Sequence, residues 1–205
     1  MQMMPGVLSV AAAAALVDLD AVQFGQFTFA RPTVAGALLG VLGGDFMTGL
    51  QLGVAMELMN LDQVPVGGYV PPDGTIGAAC AFGLCRYFGF AGGYAFFIGF
   101  ALAKMFSPIE MKMRAHRSLW NAPVTAQVVK DPGALGGWIL KGMVQQFAVC
   151  LIFMLSAVYA AGNIGGVFWA LLPQKLHAAF FISYRLVPWI GLTALAYQLY
   201  PRKGT

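Results

Sequence analysis

Apolar residues in this chain come in long uncharged runs, separated by short stretches where charges, prolines and glycines gather. The first run, Met4 to Val17, is an Ala-rich helix candidate, short for a membrane crossing of roughly 20 residues. It closes on Asp18 and Asp20, an acidic end expected to face outward or to line a cavity. No basic segment precedes it, so a cleaved signal peptide is not favoured. From 18 to 32 the chain reads as a polar connection in which Gln23, Gln26, Thr28 and Arg31 alternate loosely with Phe24, Phe27 and Phe29. An interfacial aromatic segment is expected here, with Pro32 as a helix start.

Two short apolar runs follow, 33 to 44 and 48 to 61, parted only by Asp45, Phe46 and Met47. As helices they would span about 18 to 21 Å, short of the roughly 30 Å hydrocarbon core, which predicts a re-entrant helical pair. Gly36, Gly40 and Gly44 recur every four residues, as do Gly49 and Gly53, a spacing that lets helix backbones approach closely inside a membrane. Val64 to Asp73 carries three prolines and two glycines, so it predicts a non-helical strip. Irregular backbone at membrane depth must be buried in protein or line a wet cavity, which makes the strip a candidate substrate path.

Thr75 to Ala103 is apolar apart from Arg86 and predicts one tilted span, or one kinked near Gly89, Gly92 and Gly93. The stretch 104–136 predicts a cytoplasmic basic loop. The remainder, 137–200, predicts two C-terminal spans, Gly137 to Ala161 and His177 to Tyr200, with Trp138, Trp169, Trp189, Tyr197 and Tyr200 placed as interface anchors. No tandem repeat and no internal boundary is visible, so residues 1–205 are read as one membrane domain, with 18–80 as its re-entrant part. The fold class predicted is an all-α integral membrane protein.

Composition agrees. Of 205 residues 59% are hydrophobic and 10% charged, and the mean hydropathy is +0.73, whereas soluble domains run near a quarter charged. The net charge of +4 does not point to nucleic acid, because Lys and Arg form no polar face interleaved with stacking aromatics. It sets topology instead. Lys104, Lys112, Arg114, Arg117 and Lys130, and then Arg202 and Lys203, place both regions on the cytoplasmic side. Cys80, Cys85 and Cys150 lack metal-ligand spacing and read as packing residues, so neither a metal nor a cofactor is expected.

Candidate chemistry gathers where the short helices break. Glu57 lies inside an apolar helix, and Asn60 follows at i+3. Asp62 and Gln63 come at the helix end, and Asp73 closes the strip. Carboxylates and amides around one broken-helix region can hydrogen-bond the hydroxyls of a sugar. The structural alternative is that Asp62 and Asp73 cap helices while Glu57 pairs with Arg31 or Arg86. Arg86 is also a possible cavity-facing partner for Asp73. Asp45 reads as the cap of the helix that begins near Thr48. Its preceding glycines invite comparison with the Gly-x-Gly-Asp motif of intramembrane aspartyl proteases, but Leu42 stands where glycine is needed. There is no Gly-x-Ser-x-Gly elbow and no phosphate-binding loop, so transport energy must come from gradients or partner proteins. Tyr69 and the phenylalanines of the connection could stack on a sugar ring, though packing is the commoner use of such aromatics.

Four motifs in order carry a resemblance. They are Arg31-Pro32 before a Gly-rich apolar helix, Gly44-Asp45-Phe46-Met47-Thr48-Gly49, Glu57-Leu58, and the strip ending Pro71-Pro72-Asp73. Over 18 to about 80 the chain resembles the IIC subunit of mannose-family phosphotransferase transporters. The resemblance implies a sugar translocator with no phosphorylation site of its own, working with a IID membrane subunit and with IIA and IIB phosphocarrier proteins in the bacterial inner membrane. It also implies a homo-oligomer of IIC–IID pairs and a hexose or hexosamine as cargo. By motif position Glu57 and Asp73 carry over as sugar-site candidates, and Arg31 and Asp45 as motif residues. Asn60, Asp62 and Gln63 rest on the geometric reading. Family members run longer, which motivates an alternative reading as a non-transporting scaffold or sensor. A gradient-driven transporter of another small polar solute is a third.

Overall fold

The computed structural model describes residues 3–21, 25–63 and 69–200, and every described element is helical. Part of the predicted connection (Gln23, Phe24), half of the strip (64–68) and the basic terminus (Arg202, Lys203) lie outside the described residues. The first helix, α1 (Met3–Asp18), passes into a single 3₁₀ turn, Leu19–Ala21. Val7, Val10, Ala11, Ala14 and Ala15 form its buried face.

The short pair is a hairpin of α2 (Pro32–Gly43) and α3 (Phe46–Met59). Pro32 begins α2, where a missing N–H costs nothing. Gly44 ends it at φ 76, a left-handed conformation that only glycine adopts freely. The Asp45 side chain then caps α3 by accepting from the Thr48 N–H at 3.1 Å. The predicted glycine seam is the contact between these two helices. A Cβ on Gly36 would meet the Gly49 carbonyl, one on Gly49 the Gly36 carbonyl, and one on Gly53 the Pro32 carbonyl, all inside 3.0 Å.

The predicted single span from Thr75 to Ala103 is instead two helices, α4 (Gly74–Phe88) and α5 (Gly92–Ser118). Gly89, at φ 68, reverses the chain, and its N–H returns to the Cys85 carbonyl. The helices pack closely where Gly99 meets the Gly77 carbonyl, and a Cβ on Gly99 would lie 2.5 Å from that oxygen. Helix α4 is the centre of the molecule. Every residue from Thr75 to Leu84 is buried, and α1, α2, α3, α5 and α7 all pack against it.

The expected loop at 104–136 is also helical. Helix α5 continues through it to Ser118, and α6 (Asn121–Lys130) follows. Its residues are charged but are good helix formers, and Glu110 pairs with Arg114 one turn on. The last two helices, α7 (Ala134–Leu171) and α8 (Gln174–Leu199), meet at Leu172 and Pro173. Helix α7 is longer than the predicted span at both ends, and it leans on α1 and α4 while α8 leans on α3 and α5. Gly92–Ser118, Ala134–Leu171 and Gln174–Tyr197 are long and apolar enough to cross a membrane.

Candidate sugar site

Three helix ends converge: the start of α2, the end of α3 and the start of α4. The Glu57 carboxylate binds the first of them, accepting from the Thr33 N–H at 3.1 Å and from Arg31 at 3.0 Å. The α2 N-cap, Arg31, offers no side-chain cap of its own, so Glu57 caps a neighbouring helix and balances its positive end. Of the two partners weighed for Glu57, Arg31 is the one found. Arg86 is paired neither with Glu57 nor with Asp73. Its Nε donates to the Gly43 carbonyl at 2.6 Å, because Arg86 sits in the last turn of α4, near the hairpin tip.

Asn60 ends α3 and folds back, donating from Nδ2 to the Met56 carbonyl at 2.8 Å. Its Oδ1 is buried and accepts nothing from the described chain, an unmet acceptor of the kind that costs stability unless a ligand or water fills it. The backbone of Gly74 lies against Asn60 and Pro32, and Thr75 Oγ1 donates to the Ala30 carbonyl at 2.5 Å. The break in the sequence is thus also a junction in space.

At the α2 end of the junction lies a cavity of about 340 Å³ bordered by Asp20, Gln26, Thr28, Arg31 and Pro32, with Glu57 and Asn60 outside its lining. Its wall is strained. Gln26 at φ 52 and Thr28 at φ 74 are non-glycine residues in the left-handed region, which for a β-branched threonine is a true outlier costing about 1–3 kcal/mol. Asp20 holds it there, accepting from the N–H groups of Phe27 at 2.8 Å, Phe29 at 2.7 Å and Ala30 at 3.4 Å. This organising role of Asp20 escapes sequence reading, since its partners are backbone groups that any residue carries.

The remaining predicted residues go elsewhere. Asp62 accepts from Gln63 at 3.2 Å, and Gln63 accepts from the Tyr69 hydroxyl at 2.9 Å, a small exposed group completed by Lys104 over the Tyr69 ring at 4.7 Å. Asp62 caps none of the described helices. Asp73 does cap α4, through the Ile76 N–H at 3.0 Å, and it borders a separate polar cavity of about 170 Å³ with Asp18, Glu110, Arg114, Arg117 and Gln146. The acidic end of α1 therefore does line a cavity. Gln146 Nε2 at 3.0 Å and Cys150 Sγ at 3.1 Å both donate to Asp18 Oδ2. The two cavities share Ala21 in their walls, with Asp18 on one side of the turn and Asp20 on the other.

Solved structures share this fold. One, of a membrane protein, is 17% identical and superposes with a TM-score of 0.78 over 98% of this chain and 81% of the other. The second, of the mannose transporter ManYZ in complex with microcin E492, is 20% identical with a TM-score of 0.57 over 98% of this chain and 80% of the other. Comparison with curated protein sequences gave no match. The profile described as the sorbose-specific IIC component of the phosphotransferase system matches residues 5–204. Nearly the whole chain, well beyond the 18–80 stretch that carries the legible motifs, fits that description, and this multi-pass membrane protein belongs to the sorbose-specific IIC family of phosphotransferase-system sugar transporters.

Proposed function

We propose that this chain is the sugar-translocating IIC subunit of a phosphotransferase-system permease in the bacterial inner membrane. It binds a hexose or hexosamine at the junction of α2, α3 and α4 and releases it toward the cytoplasm for phosphorylation by partner subunits. A IID membrane subunit completes the pore, and IIA and IIB proteins supply the phosphoryl group, in a homo-oligomer of IIC–IID pairs. The observation that carries the reading, beside family membership, is the junction itself. Glu57, Arg31 and the unmet Asn60 Oδ1 offer both acceptors and donors next to a strained, roomy cavity, which is what a polyhydroxylated ring requires.

In this reading Glu57 and Asn60 touch the sugar, and Asp62 and Gln63 stand at the mouth. Asp73 serves from the adjoining cavity, through its cap on α4. Both Glu57 oxygens already accept from the chain, one from Arg31 and one from the Thr33 N–H, and a carboxylate oxygen can accept more than one hydrogen bond. The two crossings by α7 and α8 return the chain to the side where the basic helices 104–136 lie, consistent with a cytoplasmic position for both. Broken short helices moving against longer spans is the form alternating access takes in other transporters.

The test is uptake of radiolabelled hexoses and hexosamines into right-side-out vesicles carrying the chain and its partners, with and without a phosphoryl donor. Accumulation of sugar phosphate only with the donor is the expected result. Accumulation of free sugar driven by a proton gradient alone would replace this reading with a gradient-driven transporter. No uptake of any sugar, with partners present, would favour a scaffold or sensor.

A further inference from the structure

An arginine stands in the middle of the last helix with no acidic partner among the described residues. Arg185 is about 17 Å from the start of α8 and about 21 Å from its end, near mid-depth of a roughly 30 Å core. It is exposed, and it is in neither of the two ion pairs found among the described residues. Its described contact is with its own helix, over the Phe181 ring at 5.0 Å. An arginine at the centre of a membrane helix costs about 2.5–3.5 kcal/mol even on the mildest scale, and such residues face protein or water rather than lipid. From mid-depth the side chain is too short to reach either interface.

Arg185 opens into a groove of about 550 Å³ between α3 and α8, which includes Leu50, Gln51, Val54, Pro188 and Trp189. The helices touch at Gly191 and Leu58 and part toward Leu50. Two further polar groups sit in the groove. Gln51 is exposed on α3, and Pro188 has no N–H to give the Tyr184 carbonyl one turn before it. A guanidinium, an amide and a freed carbonyl inside an apolar groove need a polar occupant.

The long apolar helices α7 and α8 of a second copy supply no acid, and Asp45, near the hairpin tip, is already held by Thr48 and lies beside Arg86. We infer that the α3/α8 groove seats a membrane helix of the partner subunit, through an Asp or Glu of that helix paired with Arg185. The inference rests on the proposed IIC–IID assembly and gives it a location. Docking there presses on α3, the helix that carries Glu57 and Asn60, so the partner would brace one wall of the sugar junction.

The experiment co-expresses the full tagged chain with the IID subunit of its own host and installs a photo-crosslinking residue at Trp189 or, on the outer face of α7, at Ile152. Supporting results are an adduct of the IID mass from position 189 and not from 152, with Arg185→Leu lowering recovered IID at least tenfold and Arg185→Lys restoring part of it. Crosslinking in the otherwise unaltered chain keeps the test valid should Arg185→Leu fail to fold. An adduct to a second copy of this chain, an adduct from 152 alone, or IID recovered without an adduct at 189 would overturn the groove while leaving the IIC–IID assembly standing. No IID recovered with the unaltered chain would overturn both.

Discussion

The pairs α2/α3 and α7/α8 are each joined by a two-residue break, Gly44-Asp45 in one and Leu172-Pro173 in the other, yet they behave in opposite ways. The short pair packs along its whole length, backbone against backbone, while the contacts found between α7 and α8 lie near their joint, where Trp169 stacks on His177 at 3.9 Å and meets Phe180. Helices of 12 and 14 residues cannot cross the bilayer, so their open ends must find partners inside the protein. That need brings the carboxylates and caps to one junction. Helices of 38 and 26 residues find their solvent in lipid and can splay, with small apolar contacts sufficing for each.

The contrast is broken most severely at the hairpin seam. Gly49→Leu places a side chain where the Gly36 carbonyl and the Gly40 backbone already stand, and rigid backbone cannot yield as a flexible side chain can. We expect loss of the monodisperse folded peak in detergent size-exclusion chromatography. Gly142→Leu on α7, where nothing lies within 4 Å of the new Cβ, should leave that peak intact. Equal tolerance at both positions would refute the internal bracing of the short pair.

Next in size is a functional effect at nearly constant stability. Glu57→Gln keeps the shape and an acceptor oxygen but discharges the pair with Arg31, whose side chain is 60% exposed. Exposed pairs contribute about 0–1 kcal/mol, so the melting temperature should fall by only a few degrees. Sugar uptake should fall about 100-fold or more, the loss when a site built to hydrogen-bond a hydroxyl loses its match. Uptake within twofold of the unaltered chain would make Glu57 a helix cap and nothing more.

What could be read from the sequence divides along the same line. The hairpin was legible because its signals are local: runs too short to span, glycines every four residues, Asp45 three residues before Thr48. The α4/α5 reversal was not, since Gly89 in an apolar run looks the same whether it kinks a helix or turns the chain at φ 68. Charge misled at 104–136, where Lys, Arg, Glu and Met suggested a loop although all favour helix. That Glu57 and Asn60 come together at the junction was legible from their shared helix face. The cavity around Asp73 was not, because Asp18, Glu110 and Gln146 come from three distant segments with no period linking them.

A smaller effect separates capping from charge at the hairpin tip. Asp45→Ala removes the acceptor of the Thr48 N–H and should lower the unfolding temperature measurably, while Asp45→Asn, an equally good cap, should leave it nearly unchanged. Thermal unfolding in detergent, followed by circular dichroism, reads the difference. If Asn proved as damaging as Ala, the negative charge beside Arg86, and not the cap, would be what holds the turn.

The smallest effect is expected on the long pair's outer face. Ile164 on α7 is 71% exposed, so in a bilayer its side chain meets lipid chains as apolar as itself. Truncation by Ile164→Ala leaves no cavity, because lipid fills the space, and there is no water for the lost methyls to have been hidden from. The large-to-small penalty of a packed core, about 2–5 kcal/mol, therefore should not apply. Unfolding in lipid nanodiscs should shift by less than about 0.5 kcal/mol, the ordinary range for a surface change. A shift of several kcal/mol would mean that protein covers this face of α7, and the long pair would then be braced as tightly as the short one, by a partner instead of by itself.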